Sequence, residues 1–191
     1  TSSIVAQTIR VDTLPPALSL STSGRLGDAG WYVSDAVTDI SSSDTLSGVN
    51  RVEYNQNGTG WQDGSSITST DGVNVISVRL YDVAGNQASD FLTVKVDTVS
   101  PVITPSLSGT AGANGWLLSP GTVLAAVNEE TSGVNGEVEV SVDGGVWQSL
   151  PITLNEGVYS LAFRAYDAAG NEGAASFSAS IDTTQPTVAL V

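Results

Sequence analysis

Asp12, Asp44, Asp82 and Asn86 are followed 85 residues later by Asp97, Glu129, Asp167 and Asn171, with Glu130 next to Glu129. Carboxylate and amide oxygens gathered in fours and fives are what a hard divalent cation takes, and calcium accepts about six to eight of them. The same residue types have a second use. Asp and Asn in a tight turn accept backbone N–H groups of the residues that follow, and Gly85 and Gly170 supply the positive φ such turns need. From the residues alone both chemistries stay open. The chain holds no EF-hand loop or other dedicated metal motif that would single out the first.

Other chemistries fail on inventory. The chain has no His and no Cys, which removes Ser/His/Asp and Cys/His nucleophiles. A glycosidase needs two acids flanking a cleft, whereas these acids recur in matched loops. Lys95 is the only lysine, so a lysine–asparagine crosslink in each unit is excluded. A net charge of −14 opposes binding to nucleic acid, which needs Lys and Arg on its phosphates, and opposes anionic lipid. No apolar run approaches the ~20 residues of a membrane span. The expected enzyme class is therefore none.

What positions the acids is a repeat. The 85-residue step also carries Trp31 to Trp116, Ser47-Gly48-Val49-Asn50 to Ser132-Gly133-Val134-Asn135, and Arg79 to Arg164. It carries Tyr81-Asp82 to Tyr166-Asp167 and Gly85-Asn86 to Gly170-Asn171. A fixed period across such different residues is one structural unit in tandem. Within a unit, Ile76, Val78 and Leu80 alternate with Ser77, Arg79 and Tyr81, and Tyr159 to Tyr166 alternates likewise. Period two is the mark of a half-buried strand. Val138, Val140 and Val142 form another strand ending at Asp143-Gly144-Gly145, matched by Val52-Glu53-Tyr54 ending at Asn57-Gly58; both are hairpin turns. About seven strands per unit predict an all-β fold of tandem antiparallel sandwiches. Trp31, Trp61, Trp116 and Trp147 are expected to pack on the sheets, and Arg79 and Arg164 to sit over an aromatic ring or in a cross-strand ion pair.

The order Gly-Trp-Tyr-Val-Ser, Ser-Gly-Val, Asp-Gly-Gly-x-Trp, Arg-x-Tyr-Asp-x-Ala-Gly-Asn and Ile-Asp-Thr-x-x-Pro resembles the bacterial immunoglobulin-like (Big-type) repeats. The resemblance implies tandem Ig-like β-sandwiches in a secreted or cell-surface protein, adhesins included, or accessory modules of extracellular glycosidases. In an Ig-like sandwich the incoming linker and two of the loops lie at one end. Asp12, Asp44, Asp82 and Asn86 are then expected together at one junction, and Asp97, Glu129, Glu130, Asp167 and Asn171 at the next. Asp39 in the second long strand, where the other copy has Leu124, either faces water or marks a different pairing, since an unpaired buried Asp is costly.

Residues 13–97 and 98–182 are the expected complete repeats. Residues 1–12 match the last strand of a preceding repeat and 183–191 the first strand of a following one, so the native protein is expected to continue in both directions. Three roles fit this organisation. The first is a non-catalytic spacer or stalk whose partners are neighbouring repeats. The second is an accessory module that binds glycan or a surface protein. The third is a subunit that polymerises into a filament by strand exchange.

Overall fold

The structure, a computed structural model, describes residues 7–188. Residues 1–6 and 189–191, which hold parts of the two expected flanking strands, lie outside the described residues. Residues 7–16 and 182–188 carry no strand, and Ile9, Val11 and Val188 are exposed. No helix occurs among the described residues, and none is long and apolar enough to cross a membrane.

Two compact units divide the described residues, one of residues 7–25 and 34–96, the other of residues 26–33 and 97–188. The first unit contains β1 (Ala17–Ser23), β3 (Ala36–Ser43) and β6 (Ser66–Ser69), which form an antiparallel sheet in the order β1-β3-β6. Its other sheet includes the run β8-β7-β4-β5, built from β4 (Val49–Gln56), β5 (Gln62–Asp63), β7 (Gly72–Asp82) and β8 (Gln87–Val96). The second unit contains β2 (Trp31–Tyr32) and β9 (Val102–Ser108), β11 (Gly121–Asn128) and β14 (Ile152–Leu154), the last three ordered β14-β11-β9. Its larger sheet runs β10-β16-β15-β12-β13, from β10 (Trp116–Leu117), β12 (Val134–Val142), β13 (Gln148–Ser149), β15 (Gly157–Asp167) and β16 (Glu172–Ile181). The fold is all-β and sandwich-like, as the alternation predicts.

Each core follows from that alternation. In β7 the side chains of Ile76, Val78 and Leu80 are buried, while Val73 and Val75 on the opposite face are exposed. In the second unit Leu161, Phe163 and Ala165 of β15 pack with Val123, Val138, Val140, Ala179 and Ile181. Fully burying a Val, Leu, Ile or Phe side chain stabilises by about 1.5–3 kcal/mol. Gly173 lets β16 lie against Pro101: a Cβ there would stand 2.0 Å from the Pro101 carbonyl oxygen. Asp39 is exposed on β3 and Leu124 is exposed on β11, so both occupy the solvent face.

The two copies differ by a slip that the sheet absorbs. Glu53 pairs with Arg79 and Glu139 with Arg164, although the glutamates are 86 residues apart and the arginines 85. The extra residue is taken up in an irregularity between Asn135 and Glu139, where Gly136 has φ +82. Such a bulge lets one strand hold an additional residue without shifting the rest of its ladder.

Candidate functional site

In the first unit the acids gather around the turn before β4. Asp44 folds its own loop: its Oδ1 accepts backbone N–H bonds from Leu46 (3.1 Å), Ser47 (2.9 Å) and Gly48 (2.6 Å). Asp12 of the linker accepts from Leu14 N–H (3.1 Å) through Oδ1 and from Ser47 N–H (3.0 Å) through Oδ2. Asp82 ends β7 and is buried, accepting from the N–H groups of Gly85 (2.6 Å) and Asn86 (2.8 Å). The Asn86 side-chain amide donates to Asp82 Oδ2 (2.8 Å) and to the Asp12 carbonyl (3.2 Å).

The second unit repeats the arrangement. Asp97, fully buried, accepts from Val99 N–H (3.1 Å) and Ser132 N–H (3.2 Å). Glu129 takes the place of Asp44 and accepts from the N–H groups of Thr131 (2.8 Å) and Gly133. Asp167 accepts from Asn171 N–H and from its side-chain amide, both at 2.8 Å, and that amide also reaches the Asp97 carbonyl (3.0 Å). Glu130 stands apart: it is exposed and accepts from the Asn128 side chain (3.3 Å).

Two serines complete the set, and residue type alone does not assign them a role. Ser47 Oγ accepts from Ala84 N–H (3.3 Å) and Ser132 Oγ from Ala169 N–H (3.2 Å). Each serine gives its N–H to the linker aspartate and takes an N–H from the β7–β8 or β15–β16 turn. Their one signal in the sequence is the recurrence of Ser-Gly-Val-Asn at the same step as the acids. Gly48 and Gly133 follow them with φ +87 and +89, a backbone region closed to most side chains.

The chemistry of the donor set is mixed. In the first unit the carboxylate oxygens of Asp12, Asp44 and Asp82 lie within 4.8 Å of one another. Among the described residues Asp97, Glu129 and Asp167 make no such group. Three carboxylates at that spacing suit a hard cation, yet backbone and amide N–H groups already occupy at least one oxygen of each. The same donors act on protonation. Burial alone would raise the Asp82 carboxyl, but the Asn86 side chain and the N–H groups of Asn86, Gly85 and Ala84 hold it below its ordinary value of 3.8.

The arginine–tryptophan pairs lie on the larger sheet of each unit. Arg79 bonds Glu53 at 2.6 Å and stacks on Trp61 with its guanidinium 3.9 Å from the ring centroid. Arg164 bonds Glu139 at 2.7 Å and stacks on Trp147 at 4.4 Å. Trp31 is buried, while Trp61, Trp116 and Trp147 remain 38–41 % exposed. The guanidinium covers one face of Trp61 and Trp147, which are therefore partners within the sheet.

No family model matches the chain, and no curated protein matches it. Among solved structures it is similar to the fibronectin(III)-like modules of CbhA from Clostridium thermocellum, at 12 % identity and a TM-score of 0.36, over 92 % of this chain and all of that one. It is also similar to a tetra-tandem repeat in the extending region of a large adhesion protein, at 16 % identity and a TM-score of 0.36. That match covers 88 % of this chain and half of the other.

Proposed function

We propose that this chain is a non-catalytic spacer: a stretch of tandem Ig-like repeats, 13–97 and 98–182, in a secreted or cell-surface protein of the adhesin-like kind. The observation that carries the reading is the duplicated latch. Linker Asp, loop Ser, turn Asp and turn Asn make the same four contacts in both copies, by the same atoms. A unique binding pocket has no reason to be duplicated bond for bond, whereas a module that must dock its incoming linker has that reason in every copy. The arginine–tryptophan pairs support it too, since two of the three exposed tryptophans, Trp61 and Trp147, already stack a guanidinium. In the parent protein, replacing residues 13–182 with an unrelated pair of sandwiches of the same length should preserve adhesion by the remainder. Loss of adhesion with the protein still displayed would favour the glycan- or protein-binding role instead.

A second reading adds calcium to the first latch, supported by the closeness of the Asp12, Asp44 and Asp82 oxygens. An ion that binds only the folded state stabilises it by about 2.7 kcal/mol at a hundredfold excess over Kd. Melting should then rise in millimolar calcium over chelator, and Asp44→Asn should abolish the rise. An unchanged melting temperature excludes calcium and leaves the latch a hydrogen-bonded device.

A further inference from the structure

The strand β1 is at the end of its sheet, and the direction of its unused hydrogen-bonding groups can be worked out. Leu20 pairs with Ile40, and the Ile40 N–H donates to the Ser65 carbonyl (2.8 Å), away from β1. In an antiparallel ladder a residue's N–H and C=O point the same way, so Leu20 and Ile40 are a non-hydrogen-bonded pair. The N–H and C=O of Leu20 therefore face outward. The register from Ala17 to Ser23 has no irregularity, so Leu18 and Thr22 face outward as well. The Thr22 and Thr38 hydroxyls, 2.9 Å apart, fit the closer approach of side chains in such pairs.

We infer that this edge is a homotypic docking strand, to which β1 of a second copy of this chain adds antiparallel across a two-fold axis at Leu20. The outward residues 18, 20 and 22 are symmetric about that centre, so Leu20 meets Leu20 and Leu18 meets Thr22, with about six main-chain hydrogen bonds. A sheet edge closed to association normally carries charge or proline. β1 carries neither: Ala17, Ser19, Ser21 and Ser23 are small, exposed and uncharged, and the one acid on β3 is Asp39 opposite Ser21. On a chain of net charge −14 this is a surface where two copies meet without opposing carboxylates along the joining strands. The other copy of the repeat shows the contrast. β9 has Pro105 where β1 has Leu20, paired with Ala125 as Leu20 is with Ile40, and a proline there removes the outward N–H. One edge is open and its counterpart is closed.

Sedimentation of the full 191-residue chain at about 0.15 M salt, where charges are screened beyond about 8 Å, should show a monomer–dimer equilibrium. Amide exchange should slow with concentration at Leu18, Leu20 and Thr22 and stay constant at Ser19 and Ser21. The Leu20→Pro variant should raise the dimer dissociation constant at least about tenfold, by loss of main-chain bonds, while keeping the fold as β9 does. A chain monomeric up to about 1 mM overturns the proposal. So does a dimer that Leu20→Pro leaves intact, or one whose residues 18, 20 and 22 gain no protection. Should Leu20→Pro fail to fold, the exchange pattern of the unaltered chain decides.

Discussion

Asn171 gives one side-chain amide to two acceptors, Asp167 Oδ2 and the Asp97 carbonyl, and so joins the β15–β16 turn to the linker. Asp97 and Asp167 are both buried, and an orphaned buried acceptor costs about 1–3 kcal/mol. Asn171→Ala should destabilise by that much in denaturant titration, and Asn86→Ala by less, since its bond to the linker is longer. Asp82 gives the latch a pH dependence. Its folded carboxyl sits below 3.8, so its contribution is fully present above that value and lost as pH falls through the lower folded one. Melting temperature should drop on acidification from about pH 4 to about pH 2. Asp82→Asn should start lower at neutral pH and flatten that acid limb. An unaltered limb would show that other carboxylates carry it.

Strands and turns set what those residues do, and at this scale the sequence is unevenly legible. Alternation in 72–82 and 157–167 reveals the central strands, because one face of each is buried and a slip would invert every side chain. The Ig-like arrangement leads one to expect Asp12, Asp44, Asp82 and Asn86 together, and they meet in the structure. Of the second set Asn171 joins Asp97 to Asp167, while Glu129 bonds its own loop and the three carboxylates make no such group. Glu130 is expected with them and points elsewhere, since adjacent residues near a strand end do not share a direction. The serines are hard to single out because a hydroxyl bonding main chain has no spacing signature of its own. Closeness between residues far apart in the chain is the least visible of all. Gly173 reads as an ordinary small residue until Pro101 is seen across from it. Gly173→Ala should destabilise by about 1–3 kcal/mol through overpacking, although alanine normally favours a strand over glycine. A neutral result would mean that the Pro101 segment shifts freely.

At the scale of the molecule, net charge acts on the whole fold at once. Twenty acids face six bases, so the folded chain repels itself, and the Arg–Glu pairs on the sheets offset only a small part of that. Monovalent salt from 0.01 M to 0.15 M shortens the screening length from about 30 Å to about 8 Å. The repulsion is spread over the surface and should weaken, while short contacts such as Arg79–Glu53 change little. Melting temperature should therefore rise with sodium chloride, steeply at first and then level off. This sets the control that the calcium reading requires, because calcium also screens. At matched ionic strength, a calcium ion held by Asp12, Asp44 and Asp82 adds stabilisation beyond that of sodium, and Asp44→Asn removes only the added part. General screening gives the same curve for both salts and for the variant. A melting temperature that falls with sodium chloride would reverse the balance, since the ion pairs would then outweigh the net charge.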